Sequence, residues 1–503
     1  MRKGGVMSKL SQTLAILATV MASSTAFSQV PPPPPHPKDP ELPGNPVPPL
    51  LIHDLIQKLG AGEIEIREEA EKKLISIGEP ALEALRKAAQ ISDDPQIRKH
   101  AQSILLIRYM RLNLDLLVPA AGSSKDRFVD KRYLVATGGG GKGTEEAVLS
   151  ALRWLARHQN KDGFWSATKH PIECGKFPTF RRACPVPLPP NPEPEQFDVG
   201  LSGLALMAFL GARYVPESKD TFDGICFGEV VRKGLDHLVR IQHESGRVGS
   251  DEHMYNHFLA ACALADGFGM TRDEGLQKAA GRAIEYIVKA QNPGRGWRYK
   301  FLSGDNDSSA TGWAVHALHS AVRAGLKVPD SAYEGALAWY DSATDKESHR
   351  VGYADRRSAK LVVPGGDERF SDHPTCTAMS VSSRLFAARK GGVPQVEALV
   401  EHLASDPPEW DADGLKVDLH YWFHGSTALF EFGGRNWKEW NERLKEALLK
   451  KQNRTKGDCF HGSWEPVDRW SCEGGRVYTT AIGALTLEIY YRLSTVRLTD
   501  EKR

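Results

Sequence analysis

A glutamine–glycine–tryptophan motif returns along this chain, and its spacing limits the fold more than any other feature. Gln159–Trp165 reads QNKDGFW, Gln291–Trp297 reads QNPGRGW, Gln242–Gly249 reads QHESGRVG, and Gln452 is followed by HGSW at His461–Trp464. Each copy closes one helix-like run and precedes another. A unit that recurs about every 50 residues is one supersecondary module, which buries its apolar face only by stacking on its neighbours. The modules here read as helical hairpins. In each motif the glycine is suited to a left-handed helix cap, and the tryptophan to filling the gap between hairpins.

The outer-type helices fall at residues 145–158, 229–242, 277–291, 332–342, 395–404 and 437–452. The inner-type helices start near Val199, Tyr255, Ser309, Pro374, Trp422 and Val477 and are rich in small residues, as in GLSGLALMAFLGA and YTTAIGALTL. The expectation is an all-α fold, an α/α toroid of about six hairpins over residues 145–495, with the small-residue helices inside.

Upstream of this region the chain is mixed. Arg2, Lys3 and Lys9 precede the apolar run Leu14–Met21, and Ala26-Phe27-Ser28 suits cleavage before Gln29. That is the pattern of a secretory signal over residues 1–28, and the run is too short to span a bilayer. Residues 29–50 are proline-dense and read as a stiff linker. Residues 51–117 carry apolar stripes at helical spacing. The stretch REEAEKKLISIGEPALEALRKA resembles a HEAT-type repeat, either a partner surface or a cap on the main domain. Residues 118–144 form a second linker ending in GGGGKGT. Lys142 is followed by Gly143, so the phosphate-loop pattern fails and a hinge is the better reading.

The 503 residues carry a formal net charge of +2, which gives no reason to expect a nucleic-acid partner. No stretch of the mature chain reads as membrane-spanning. Export implies an oxidising compartment. Cys174 and Cys184 flank one irregular insert and Cys459 and Cys472 another, so these four are disulfide candidates, with the pairing open. Cys226, Cys262 and Cys376 lie in or near apolar runs and read as buried thiols.

Taken together, the QNKDGFW motif and the endings YWFHGSTALFEFGGRNWKEWN and WEPVDRWSCEGGRVYTTAIGALTLEIYYRL resemble the prenyltransferase and squalene-cyclase repeat superfamily, in its exported bacterial, planctomycete-type group. The resemblance covers about Thr144 to Leu493 and implies the toroid. Class II cyclases of that superfamily use a D-x-D-D-T-A motif whose middle Asp protonates an alkene. Here DNDSSATGWA supplies Asp305 and Asp307 as the first and middle acids, with Ser308 in place of the last. The alternative role for Asp307 is a helix cap. The zinc triad of protein prenyltransferases has only a loose counterpart in Asp372, His373 and Cys376.

Two histidine pairs, His253 with His257 and His420 with His424, have the four-residue spacing of one helix face, as metal sites require. Helical His pairs are more often structural, and no metal or cofactor is expected. If the inner helices all start at one mouth, then His257, Thr311, Asp372, His373, His424, Tyr478 and Thr479 gather there beside Asp307. Polysaccharide-active toroids are a further possibility, with Tyr255, His257, Arg476 and Tyr478 as available types. The leading expectation is a binding or scaffolding toroid without cyclase activity, its partner a protein or cell-envelope ligand. The alternative is an enzyme on an isoprenoid or other apolar ligand with Asp307 as acid.

Overall fold

The computed structural model describes residues 48–104 with short interruptions, and residues 139–492 apart from 175–193, 359–373, 388–395 and positions 251, 357, 412, 413, 415 and 469. The signal segment, nearly all of both linkers, Asp372, His373 and Cys184 lie outside the described residues. The chain divides into two compact units, Met1–Tyr109 and Met110–Arg503.

In the first unit, helix α1 (Pro49–Lys58) pairs with α2 (Ile64–Ile77). Ile52, Leu55, Ile56 and Leu59 pack with Ala70 and Leu74 into a small separate core.

The second unit is a ring of helices. Its outer members are α3 (Lys142–Arg157), α6 (Phe227–Arg240), α8 (Glu274–Ala290), α10 (Asp330–Ala343), α12 (Val396–Ala404) and α14 (Gly434–Lys451). Its inner members are α5 (Asp198–Gly211), α7 (Met254–Thr271), α9 (Ser308–Arg323), α11 (Thr375–Ala387), α13 (Leu419–Phe432) and α15 (Ser471–Leu487). A short helix, α4 (His170–Cys174), lies in the first connection. Each inner helix packs on the next, and α15 packs back on α5, which closes the ring. The fold is the expected all-α toroid. Its described strands are one short ribbon, β1 (Thr221–Phe222) with β2 (Ile225–Cys226).

Local sequence explains why the two helix sets differ. In α8, Asp273 caps the first turn by accepting from the Leu276 N–H at 2.8 Å. Ala280, Ala283, Ile284 and Ile287 then form one buried stripe, and the opposite face is polar. In α9, every residue from Ser308 to Ala321 is buried. A helix buried on all sides needs small residues to let its neighbours approach, and Ala310, Gly312, Ala314 and Ala317 supply them.

The repeated motif is a bolt between hairpins. Gln159 Nε2 donates to Gly163 O in its own loop and to Val230 O on the next outer helix, both at 2.9 Å. Gln242 does the same to Gly246 and Ala279, and Gln291 to Arg295 and Ala332. Gln452 donates to Gly462 O at 2.9 Å and to Ala147 O of α3 at 2.8 Å, so the same bolt joins the last hairpin to the first. The indole N–H of Trp165, Trp297 and Trp464 donates to a carbonyl of the preceding outer helix at 2.7–2.9 Å. These rings are fully buried, and removing one is worth about 3–5 kcal/mol.

Helix α15 starts six residues before the expected Val477, at Ser471. Gly475 breaks the helical backbone there, with φ +54° and ψ −150°, so the regular part begins at Arg476.

Candidate functional site

Every inner helix follows an outer one, so all six run the same way and start at one end of the ring. Asp307 and Asp418 hold equivalent places there. Each precedes an inner helix and caps it, Asp307 Oδ1 accepting from Ala310 N–H at 2.6 Å and Asp418 Oδ1 from Tyr421 N–H at 2.9 Å. The Cys376 thiol, on the helix between them, is pushed well up by burial and then by the two carboxylates.

The Asp307 carboxyl is fully buried. Its second oxygen, Oδ2, completes no hydrogen bond of full geometry, and the Tyr353 hydroxyl stands by as a donor to the group. Burial raises its pKa to about 7, against the opposing pull of the Ala310 N–H and the Arg298 charge. Three phenols surround it. Tyr255 O–H donates to Ser309 Oγ at 2.5 Å, the Tyr299 and Tyr353 hydroxyls are bonded to each other, and the Tyr255 and Tyr299 rings lie 5.7 Å apart. Burial raises all three phenol pKa values, with the Asp307 charge second, so each phenol stays neutral at ordinary pH.

Asp305 lies outside this group. Its side chain is 58% exposed and ion-paired with Arg298 at 2.8 Å.

Another buried carboxyl with a raised pKa sits further round the ring. Asp468 Oδ1 accepts from Ser471 O–H at 2.5 Å, and Oδ2 accepts from Leu419 N–H at 3.2 Å. Its pKa is pushed up to about 7 by burial, with the nearby Asp418 charge adding to the shift. Beside it, α9 and α13 meet across the ring. Trp313 Nε1 donates to His420 Nε2 at 3.0 Å, and the Trp313 ring lies 5.7 Å from Phe423 and 4.7 Å from His424.

Several expected mouth residues belong instead to the frame. Thr311 Oγ1 accepts from the motif Trp297 N–H at 3.0 Å, Ser202 from Trp165 N–H, and Thr377 from Val351 N–H. His257 fills the same role. Its Nδ1 accepts from Val248 N–H and its Nε2 donates to Ala283 O, each at 3.0 Å. Burial lowers its pKa to about 4, so it stays neutral as this brace. Thr479 O–H donates to Trp464 O at 3.0 Å. These positions hold the motif loop to the start of the inner helix, Thr479 by donating and the others by accepting.

His253 is the cap residue before α7, and its ring lies 5.7 Å from that of Phe197. His420 and His424 are neighbours, their rings 4.9 Å apart. Among the described residues, no group of three or more His, Cys, Asp or Glu is placed to hold a metal ion. Tyr478 is buried on α15, packed over Gly474. Cys459 is disulfide-bonded and buried, its sulfur 3.3 Å from His158 Nε2 on the first hairpin. The side chains of Cys174, Cys184 and Cys472 lie outside the described residues. Cys262 and Cys376 are buried as expected and Cys226 is only half-buried, and none of the three is in a disulfide.

Tyr299, Tyr353 and Asp468 were not anticipated from sequence. Tyr299 lies two residues after a motif tryptophan, and Asp468 four residues after another, so position relative to the motif was the available signal.

No family model matches the chain, and no curated protein matches it. Among solved structures, an α-1,6-mannanase of Salegentibacter sp. is similar at TM-score 0.46 and 11% identity, over 69% of this chain and 99% of that one. A type II terpene cyclase from Scytonema is similar at TM-score 0.42 and 12% identity, over 70% and 98%. An α-amylase from Clostridium perfringens is similar at TM-score 0.43 and 8% identity, over 69% and 98%.

Proposed function

We propose that the toroid is an exported ligand-binding protein, and that its ligand enters at the inner-helix N-termini and engages Asp307. One observation carries this reading. A helix cap needs a single acceptor, and Asn or Ser supplies it as well as Asp does. Asp307 keeps a second oxygen that is buried without a full hydrogen bond, which costs stability unless something else uses it. Three partly exposed phenols, Tyr255, Tyr299 and Tyr353, lie near that carboxyl. A ligand held there meets neutral O–H groups on several sides.

The second reading is turnover with Asp307 as a general acid. It is favoured by the carboxyl's pKa of about 7, the range in which one group both holds and releases a proton near neutral pH. The disulfide at Cys459 supports work outside the reducing cytosol. Trp313 of α9 meets Phe423 and His424 of α13 across the ring. That favours a ligand seated at the polar mouth over one threaded deep along the axis.

The test is native mass spectrometry of the protein after incubation with cell-envelope extract. The wild type is expected to carry a discrete added mass, and Asp307→Asn to lose it while melting at the same temperature or higher. An equal adduct on Asp307→Asn, or none on the wild type, would overturn the proposal.

A further inference from the structure

Asp307 is fully buried, while Tyr255, Tyr299 and Tyr353 are each partly exposed. Each lies close enough to the carboxyl for the Asp307 charge to act on it, so the buried group has these partly exposed rings among its neighbours. They come from different elements. Tyr255 is on α7, Tyr299 follows the third motif, and Tyr353 lies in the connection after α10. The chain fixes Tyr353 closely. Its carbonyl accepts from Ser308 N–H, the first residue of α9, at 2.9 Å, and its own N–H donates to Ser358 O at 2.8 Å. Ser308 is held in turn, its O–H donating to Gly352 O at 2.7 Å and its carbonyl accepting from Tyr340 O–H at 2.9 Å. The backbone that carries Tyr353 is thus tied to the helix that Asp307 caps. From there the Tyr353 phenol meets the Tyr299 phenol and joins two adjacent hairpins by one hydroxyl–hydroxyl bond.

We infer that the Tyr299–Tyr353 pair is the gate of the Asp307 site: it keeps bulk water off the carboxyl, and a ligand reaches Asp307 by parting that bond. Both residues are positioning residues acting through Asp307. The inference rests on Asp307 being the group the ligand uses, and it deepens that reading by naming what controls access. Side-chain exchange favours this mechanism. Parting the pair breaks one hydrogen bond between two phenols that remain partly exposed, and each can rebond to water or ligand, so the net cost is small. Moving Asp307 itself would undo the α9 cap. The charged and titratable groups facing Asp307 are Tyr255 from α7, Arg298 and Tyr299 from the third connection, Tyr340 from α10, Tyr353 from the fourth connection and Cys376 from α11. Arg298 is the cation among them, so loss of cover and retention of Arg298 act on the carboxyl in the same direction, both favouring ionisation.

The test is a carboxyl titration of the full chain labelled with ¹³C-aspartate, read by NMR, with Asp307→Asn identifying the Asp307 signal. Tyr353→Ala is expected to open the cover and move the Asp307 midpoint down by at least about one pH unit, a tenfold change in acidity. Tyr353→Phe keeps the ring, removes one donor to the carboxylate, and is expected to leave the midpoint unchanged or move it up. A merely structural role for the ring would not give opposite directions for the two variants. If Tyr353→Ala does not fold, Tyr299→Ala opens the same cover and carries the same expectation. An unchanged midpoint in the folded alanine variant overturns the gate, and so does an equal downward shift in Tyr353→Phe. The outcome is separable from the ligand experiment. A gate that fails leaves an adduct lost in Asp307→Asn standing, and an absent adduct leaves the titration shifts to be read alone.

Discussion

Replacing Gly462 by alanine should destabilise the toroid by roughly 2–5 kcal/mol. The backbone at Gly462 has φ +98°, and an added Cβ would lie 2.1 Å from Ser150 O on α3. Two costs combine there, a left-handed conformation for an L-residue and a steric collision with backbone that cannot swing aside. The site is also where the sixth hairpin closes on the first, because the Gln452 amide that donates to Gly462 O donates as well to Ala147 O of α3. Gly163 and Gly246 repeat the arrangement against Lys233 O and Arg282 O, at 2.1 and 2.2 Å. Gly281 is the matched control. It lies inside α8, and an added Cβ meets nothing within 4 Å. Gly281→Ala should stabilise by about 0.5–1 kcal/mol through helix propensity. Urea unfolding followed by tryptophan fluorescence separates the two, and equal effects would remove the structural reading of the motif.

The second large effect is a dependence on pH. Asp307 and Asp468 each have a pKa of about 7 in the folded protein, raised by burial, against an ordinary carboxyl value near 4 in the unfolded chain. Between those values the folded state binds more protons than the unfolded state, so stability falls as pH rises. The contribution is fullest below about pH 4, declines towards pH 7 and is flat above it. Asp468→Asn removes one of the two titrations. Asn can accept from Leu419 N–H with its oxygen and donate to the Ser471 oxygen with its amide, so the local bonds survive. Melting curves should show the variant more stable than wild type at pH 8, by about 1–3 kcal/mol, with a small difference at pH 4. A constant offset at both pH values would mean that the Asp468 carboxyl is ionised in the fold.

The hairpins were legible because the motif does chemistry that leaves little choice of residue. Glutamine reaches two carbonyls at once, glycine takes the positive φ, and tryptophan fills a gap while donating its N–H. Helix starts were placed within one residue where a polar cap precedes a small-residue run, as at Ser308. The turn before Gly475 is not legible, and the helix expected near Trp422 starts three residues earlier, at Leu419. The candidate site was only partly legible. Asp307 was visible as an acid before an inner helix, but its burial depends on Tyr299 and Tyr353, which lie on separate connections. His257 illustrates the opposite error. Its place near a helix start suggested the mouth, and it proves to be the counterpart of Ser202 and Thr311, a brace whose identity varies because only an acceptor is required. Export, cleavage of the leader and a HEAT-type role for the first unit remain proposals read from residues outside the ring.

The bolt from Gln452 to Ala147 has the same chemistry as those between successive hairpins, so the ring has no privileged first member. The connectivity of the chain and the connectivity of the packing are then separable properties. A variant whose chain is joined between α15 and α3, which pack together, and is reopened at the short turn Arg272–Asp273 should still assemble every interface. Its circular dichroism should match that of the parent, because what makes a circle here is the side chains and not the order in which the ribosome delivers them.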